Sequence, residues 1–167
     1  MKRLTICILM IAMISVTLTA CNVKKEEDPI ITIAFSASEL SDEDYESVGT
    51  AGLENPKKEE FKKIEFSLEV KQSNEITDRS IVVPDIKKVV NSKDPERYWS
   101  GSFSRQDNPQ ENFARYDYSF VLYTKELDEQ EIRDLFESEK VRISYTDKND
   151  VYKEEAFTLS DILQFKE

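Results

Sequence analysis

Polar and apolar residues alternate most regularly from Lys63 to Lys71, where Ile64, Phe66, Leu68 and Val70 are separated by charged or hydroxyl side chains. A period of two buries one face of a strand and solvates the other. Tyr116, Tyr118, Phe120 and Leu122 repeat this pattern within Phe113–Thr124, and Val121 and Tyr123 imply partial cover on the second face. That run predicts an interior strand. Val141, Ile143 and Tyr145 alternate with Arg142, Ser144 and Thr146, and the turn Asp147–Asp150 leads into Val151–Leu159, which predicts a hairpin. Shorter strands are expected at Ile30–Phe35, at Ile81–Val83 before Pro84, and at Arg97–Arg105 before the turn Gln106–Gln110.

Two stretches switch to helical spacing. Ile86, Val89 and Val90 follow Pro84 and predict a short helix over Asp85–Asn91. Asp128 with Glu131 forms a capping-box start, and Ile132, Leu135 and Phe136 continue it, predicting a helix over Glu129–Ser138. Ser36–Glu60 is rich in Ser, Asp, Glu, Gly and Pro and reads as a long acidic surface loop. The tail Ser160–Phe165 is expected to close as a helical turn. About seven short strands without βαβ alternation predict a mainly β domain over 30–167. The expected architecture is an immunoglobulin-like antiparallel β-sandwich with one or two short helices. The alternative is an α+β domain with a single antiparallel sheet.

The first 21 residues follow a different logic. Met1-Lys2-Arg3 is cationic, and Leu4–Ala20 holds only apolar residues, one serine and three threonines. Charge, then an apolar run, then small residues is the pattern of an export signal, and the run is short for a spanning helix. Leu18-Thr19-Ala20-Cys21 resembles the lipobox of bacterial lipoproteins. The resemblance implies cleavage between Ala20 and Cys21, a diacylglyceryl group on the Cys21 thiol, and a protein anchored to the extracytoplasmic face of the cell membrane. Residues 21–29 would be the lipidated cysteine and its tether. In size and in its Lys/Glu-rich surface the remainder is similar to small Gram-positive lipoproteins, a likeness that carries no functional residues.

Removing residues 1–20 would leave 147 of 167 residues, enough for one domain, and would take two positive charges from a formal net charge of −11, leaving −13. Such a surface repels phosphate backbones, so nucleic acid is not an expected partner. Cys7 would leave with the leader and Cys21 would be lipidated, so stability must come from a packed core without a disulfide. The chain has no histidine and only three glycines, which excludes His-based triads and His-ligated metal sites and leaves no phosphate-cradling loop. No cofactor is implied.

Asp42, Glu43, Asp44 and Glu46 could offer oxygen ligands to Ca²⁺, yet they lack EF-hand spacing and read as a solvated charge run. Asp147, Asn149 and Asp150 read as an ordinary hairpin turn. Arg97-Tyr98-Trp99 with Phe103 and Arg105 concentrates the residue types that dominate interfaces. Adjacent Tyr98 and Trp99 must face opposite ways in a regular strand. Trp99 is expected between the sheets, leaving Tyr98, Arg97 and Arg105 as the exposed binding surface. The leading expectation is a binding module for a protein or cell-envelope ligand, without catalysis of its own. Alternatives are a carboxylate-based or Ca²⁺-dependent enzyme acting on the cell wall, and an accessory subunit of a membrane complex.

Overall fold

The computed structural model describes residues 28–72 and 74–166. The leader, Leu18, Thr19, Ala20, Cys21 and most of the tether lie outside them. The described chain is mainly β, with eight strands in two sheets. β1 (Ile30–Glu39), β2 (Phe61–Lys71), β4 (Tyr98–Asp107), β5 (Phe113–Tyr123) and β8 (Leu163–Lys166) form a five-stranded sheet in the order β4-β5-β2-β1-β8. β3 (Thr77–Val82), β6 (Lys140–Thr146) and β7 (Tyr152–Thr158) form the second, in the order β3-β6-β7. All pairs are antiparallel except β1 with β8, which run parallel.

The alternating positions meet as their period requires. Ile64 pairs with Phe120, Phe66 with Tyr118 and Leu68 with Tyr116, so the apolar faces of β2 and β5 coincide. They pack against Val141 and Ile143 of the three-stranded sheet in one continuous cluster. Helix α2 (Ile86–Lys93) adds Ile86 and Val90 to this core, and α3 (Glu129–Asp134) adds Ile132, with Phe136 just beyond it. Both helices start as expected. Asp85 accepts a hydrogen bond from the Lys88 backbone N–H, and Asp128 and Glu131 form the reciprocal capping box. Phe136 is fully buried and meets Phe35 edge to face, with ring centroids 5.0 Å apart.

Three expectations are corrected. Ser36–Glu60 is not a continuous loop: β1 extends through Glu39, and α1 (Asp42–Ser47) follows, capped by Ser41. Ser36 and Ala37 stay in the strand because β2 and β8 flank them on both sides. Leu40 and Val48 then bury themselves with Phe61, joined by Tyr45, Leu53, Trp99, Val121 and Tyr123, as a second small core on the outer face of the five-stranded sheet. The tail forms the turn α4 (Leu159–Ile162) and then continues as strand β8. The tether ends early, since Asp28 bonds Lys153 and Tyr145 on the three-stranded sheet and Pro29 is buried.

Candidate functional site

β4 ends the five-stranded sheet and β3 ends the three-stranded one, and these two edges border a common groove. The groove has a volume of about 870 Å³, with Tyr98, Phe103, Arg105, Tyr116 and Tyr118 on one wall and Ile81, Val82 and Val83 on the other. Phe103 is 49% exposed and Val82 55% exposed, so apolar surface on both walls meets solvent. Phe103 stacks on Tyr118 at 4.2 Å between centroids, and Tyr98 stacks on Phe120 at 5.1 Å. Polar groups flank this aromatic row. The Lys87 ammonium lies 5.5 Å from the Tyr98 ring centre and the Arg105 guanidinium 5.3 Å from that of Tyr116.

A bulge builds this wall. The register of β4 against β5 shifts between Tyr98 and Ser100, so Tyr98 pairs with Leu122 while Gly101 pairs with Phe120 and Phe103 with Tyr118. Tyr98 and Phe103 therefore share a face. Gly101 is required there: a Cβ at that position would overlap the Phe120 Cβ, and would lie 2.5 Å from the Tyr98 hydroxyl and 2.8 Å from the Ser119 carbonyl. Without a side chain at 101, the Tyr98 ring can lie across its own strand.

Beyond the Arg105 and Tyr116 end of the groove a buried ion pair joins the two sheets. Arg79 on β3 donates to Asp107 at the end of β4 over 2.8 Å, and the two side chains are 3% and 11% exposed. Arg79 also donates to Gln72 and to the carbonyls of Asn108 and Glu111, which fixes the β4–β5 turn. The Tyr116 hydroxyl donates to the second Asp107 oxygen, and Arg105 approaches the same atom at 3.3 Å. Burial opposes ionisation of Asp107, but the hydrogen bonds from Tyr116 and Arg79 outweigh it and hold its carboxyl below the usual carboxylate range. Burial, reinforced by the Asp107 charge, pushes Tyr116 up to about 12. Near neutral pH these two groups hold fixed protonation states, so they clamp the groove without exchanging protons.

The residues singled out in the sequence separate accordingly. Tyr98 and Arg105 face the groove, with Arg105 exposed and Tyr98 half-buried beneath Lys87. Arg97 is corrected from exposed to half-buried: its guanidinium pairs with Asp94 at 2.9 Å and donates to the Lys125 carbonyl at 2.6 Å, pinning a loop away from the groove. The Trp99 side chain is not between the sheets. It packs on the outer face beside Phe61 and Tyr123, and its indole N–H donates to the Gly49 carbonyl. Asp42 and Asp44 pair with Lys58 and Lys63, and Asp147 accepts the backbone N–H groups of Asn149 and Val151. Among the described residues no three of His, Cys, Asp and Glu converge as metal ligands.

Arg79, Asp107, Lys87 and the opposing wall Ile81–Val83 have no local sequence signature as parts of this site, because only the packing of the two sheets and of α2 brings them to β4. Compared with protein-family models, curated proteins and solved structures, the chain matches none.

Proposed function

We propose that the protein is an extracytoplasmic lipoprotein, held to the cell membrane by a diacylglyceryl group on Cys21, whose β-sandwich is a binding module without catalysis of its own. The groove between the β3 and β4 edges carries the reading: it exposes Phe103 on a wall of stacked aromatic rings and Val82 on the wall opposite. Isolated exposed apolar residues are ordinary on a protein surface, but a contiguous apolar patch in a concave site marks a place where something docks. The fixed charges of the Arg79–Asp107 pair hold the walls in place before any ligand arrives, which lowers the ordering cost of binding.

The test places a photo-crosslinking phenylalanine analogue at Phe103 in cells, with a second chain carrying it at Glu129 on the exposed side of α3. Adducts that form from position 103 and not from 129 support the groove as the binding surface. Equal labelling from both positions, or none from 103, overturns it. In the same cells Cys21→Ser should shift the chain out of the membrane fraction or leave it at precursor size; membrane retention at mature size contradicts the lipid anchor.

A further inference from the structure

β4 has an unused side. It spans ten residues and pairs with β5 alone, and every second residue of an edge strand turns its N–H and C=O away from the neighbour. Among the described residues no backbone hydrogen bond reaches that side. Folded proteins blunt such edges with proline, lysine, shortness or a covering segment, because an unpaired edge is a template for another strand. Past the bulge at Tyr98–Ser100, the stretch Gly101-Ser102-Phe103-Ser104 carries none of these devices and lies exposed. β3, across the groove, carries several. It is six residues long, its register breaks after Thr77 with Asp78 at φ 52°, and Pro84 follows it.

Charge narrows the occupant. In a chain of net charge −11, the groove is flanked by Lys87 at one end and Arg105 at the other. The lining carboxylate Asp85 is occupied with its own helix, accepting the Lys88 N–H and pairing with the Lys88 ammonium. Lys87 covers the Tyr98 ring and Arg105 stands seven positions further along β4, so the two cations lie towards opposite ends of the edge. A second copy of the chain would set one acidic surface against another and offer Arg105 from its own β4, whose one carboxylate, Asp107, is already held by Arg79. A glycan could stack on Phe103 but would leave the edge unpaired.

We infer that β4 accepts an extended peptide segment of an exported partner as a sixth strand of its sheet. The segment turns apolar side chains into the groove and sets a carboxylate against Lys87 and another against Arg105. This rests on the binding-module reading and gives it a partner class. Main-chain bonds to β4 supply the attachment, and the alternate side chains on the groove wall supply selectivity.

The test uses the full chain extracted from membranes in detergent, with hydrogen exchange read along β4. The probe is a blocked nine-residue peptide in which threonines alternate with glutamate, valine, valine and glutamate, placing the carboxylates roughly 20 Å apart when extended. Strand addition slows amide exchange in β4 by about tenfold or more. Replacing both glutamates with lysine weakens binding about tenfold, the equivalent of two exposed ion pairs turned repulsive. N-methylation of alternate amides abolishes binding in one phase and spares it in the other, since only one set of amides faces β4. No protection by the glutamate peptide, equal effects of the two methylation phases, or protection by an N-acetylglucosamine hexamer instead overturns the inference. A chain that crosslinks from position 103 in cells yet shows no protection of β4 by the peptide keeps the binding module and loses the strand addition.

Discussion

Replacing Asp107 with Asn tests whether the buried pair with Arg79 holds the two sheets together. The substitution preserves volume and leaves an acceptor for the Tyr116 hydroxyl, so the lost quantity is the charge. Arg79 is then a guanidinium 3% exposed with no counter-charge among its partners, which are otherwise Gln72 and backbone carbonyls. Removing one member of a buried pair costs about 3–5 kcal/mol, and the residual hydrogen bonds to Arg79 place this case near 3 kcal/mol. For a domain of this size that corresponds to a fall of roughly 10 °C in Tm. The sign with pH is fixed by the depressed pKa of Asp107. A carboxyl whose folded pKa lies below its unfolded value contributes stability above the unfolded value and loses it as pH falls through the folded one. Urea unfolding of wild type and variant should therefore differ fully at pH 7 and converge below the folded pKa, once the wild-type carboxyl is also neutral. A difference that persists unchanged through acid titration, or one below about 1 kcal/mol at pH 7, refutes the charge argument and reduces the pair to packing.

Three further outcomes follow from the same contacts. Tyr116 has its pKa raised from 10.0 to about 12 at 3% exposure, so its contribution is complete below pH 10 and disappears as pH rises toward 12; the stability gap between wild type and Tyr116→Phe should close over that window, by about 2 kcal/mol. Gly101→Ala forces a methyl against Phe120 and the Ser119 carbonyl, and should cost about 1–3 kcal/mol by chemical unfolding while rotating Tyr98 off Phe120; an unchanged midpoint contradicts the register of β4. Phe136→Ala empties a fully buried site beside Phe35 and should cost about 3–5 kcal/mol in the same assay, whereas Phe103→Ala, on an exposed ring, should stay within about 1 kcal/mol.

The strands that could be read in advance are those whose side chains report their own burial. Ile64–Val70 and Val141–Tyr145 alternate because each has one wetter and one dry face, Tyr116–Leu122 alternates with partial cover on its second face, and all three sit in the sheets as the alternation requires. Helices α2 and α3 were legible for a separate reason, since Asp85, Asp128 and Glu131 write their start points into the chain. Ser36–Glu39 and β8 have no such signature. Their strand conformation comes from neighbours: β1 is held between β2 and β8, so Ser36 and Ala37 are buried by pairing and not by hydrophobicity. Pairing of that kind, between segments about 130 residues apart, leaves no local pattern to find.

The groove is half legible in the sequence, and what hides the rest is tertiary. Tyr98 and Trp99 were expected to face opposite ways, and they do. A sandwich commonly buries its tryptophan between the sheets, but here residues of the 36–60 stretch supply cover on the outer face instead. Once Leu40, Tyr45, Val48 and Leu53 are seen to pack on the outer face, Trp99 finds its place there beside Phe61 and Tyr123. Tyr98 is then free to face the groove. Phe103 poses the converse problem. It lies five positions from Tyr98, an odd spacing that in a regular strand sends the two rings to opposite faces. The bulge between Tyr98 and Ser100 absorbs one residue and brings both rings to the groove wall, opposite Leu122 and Tyr118. Alternation along β4 alone therefore divides the site between two faces. Only the register imposed by β5 assembles it, so the binding surface is a property of the strand pair and not of the aromatic cluster in the sequence.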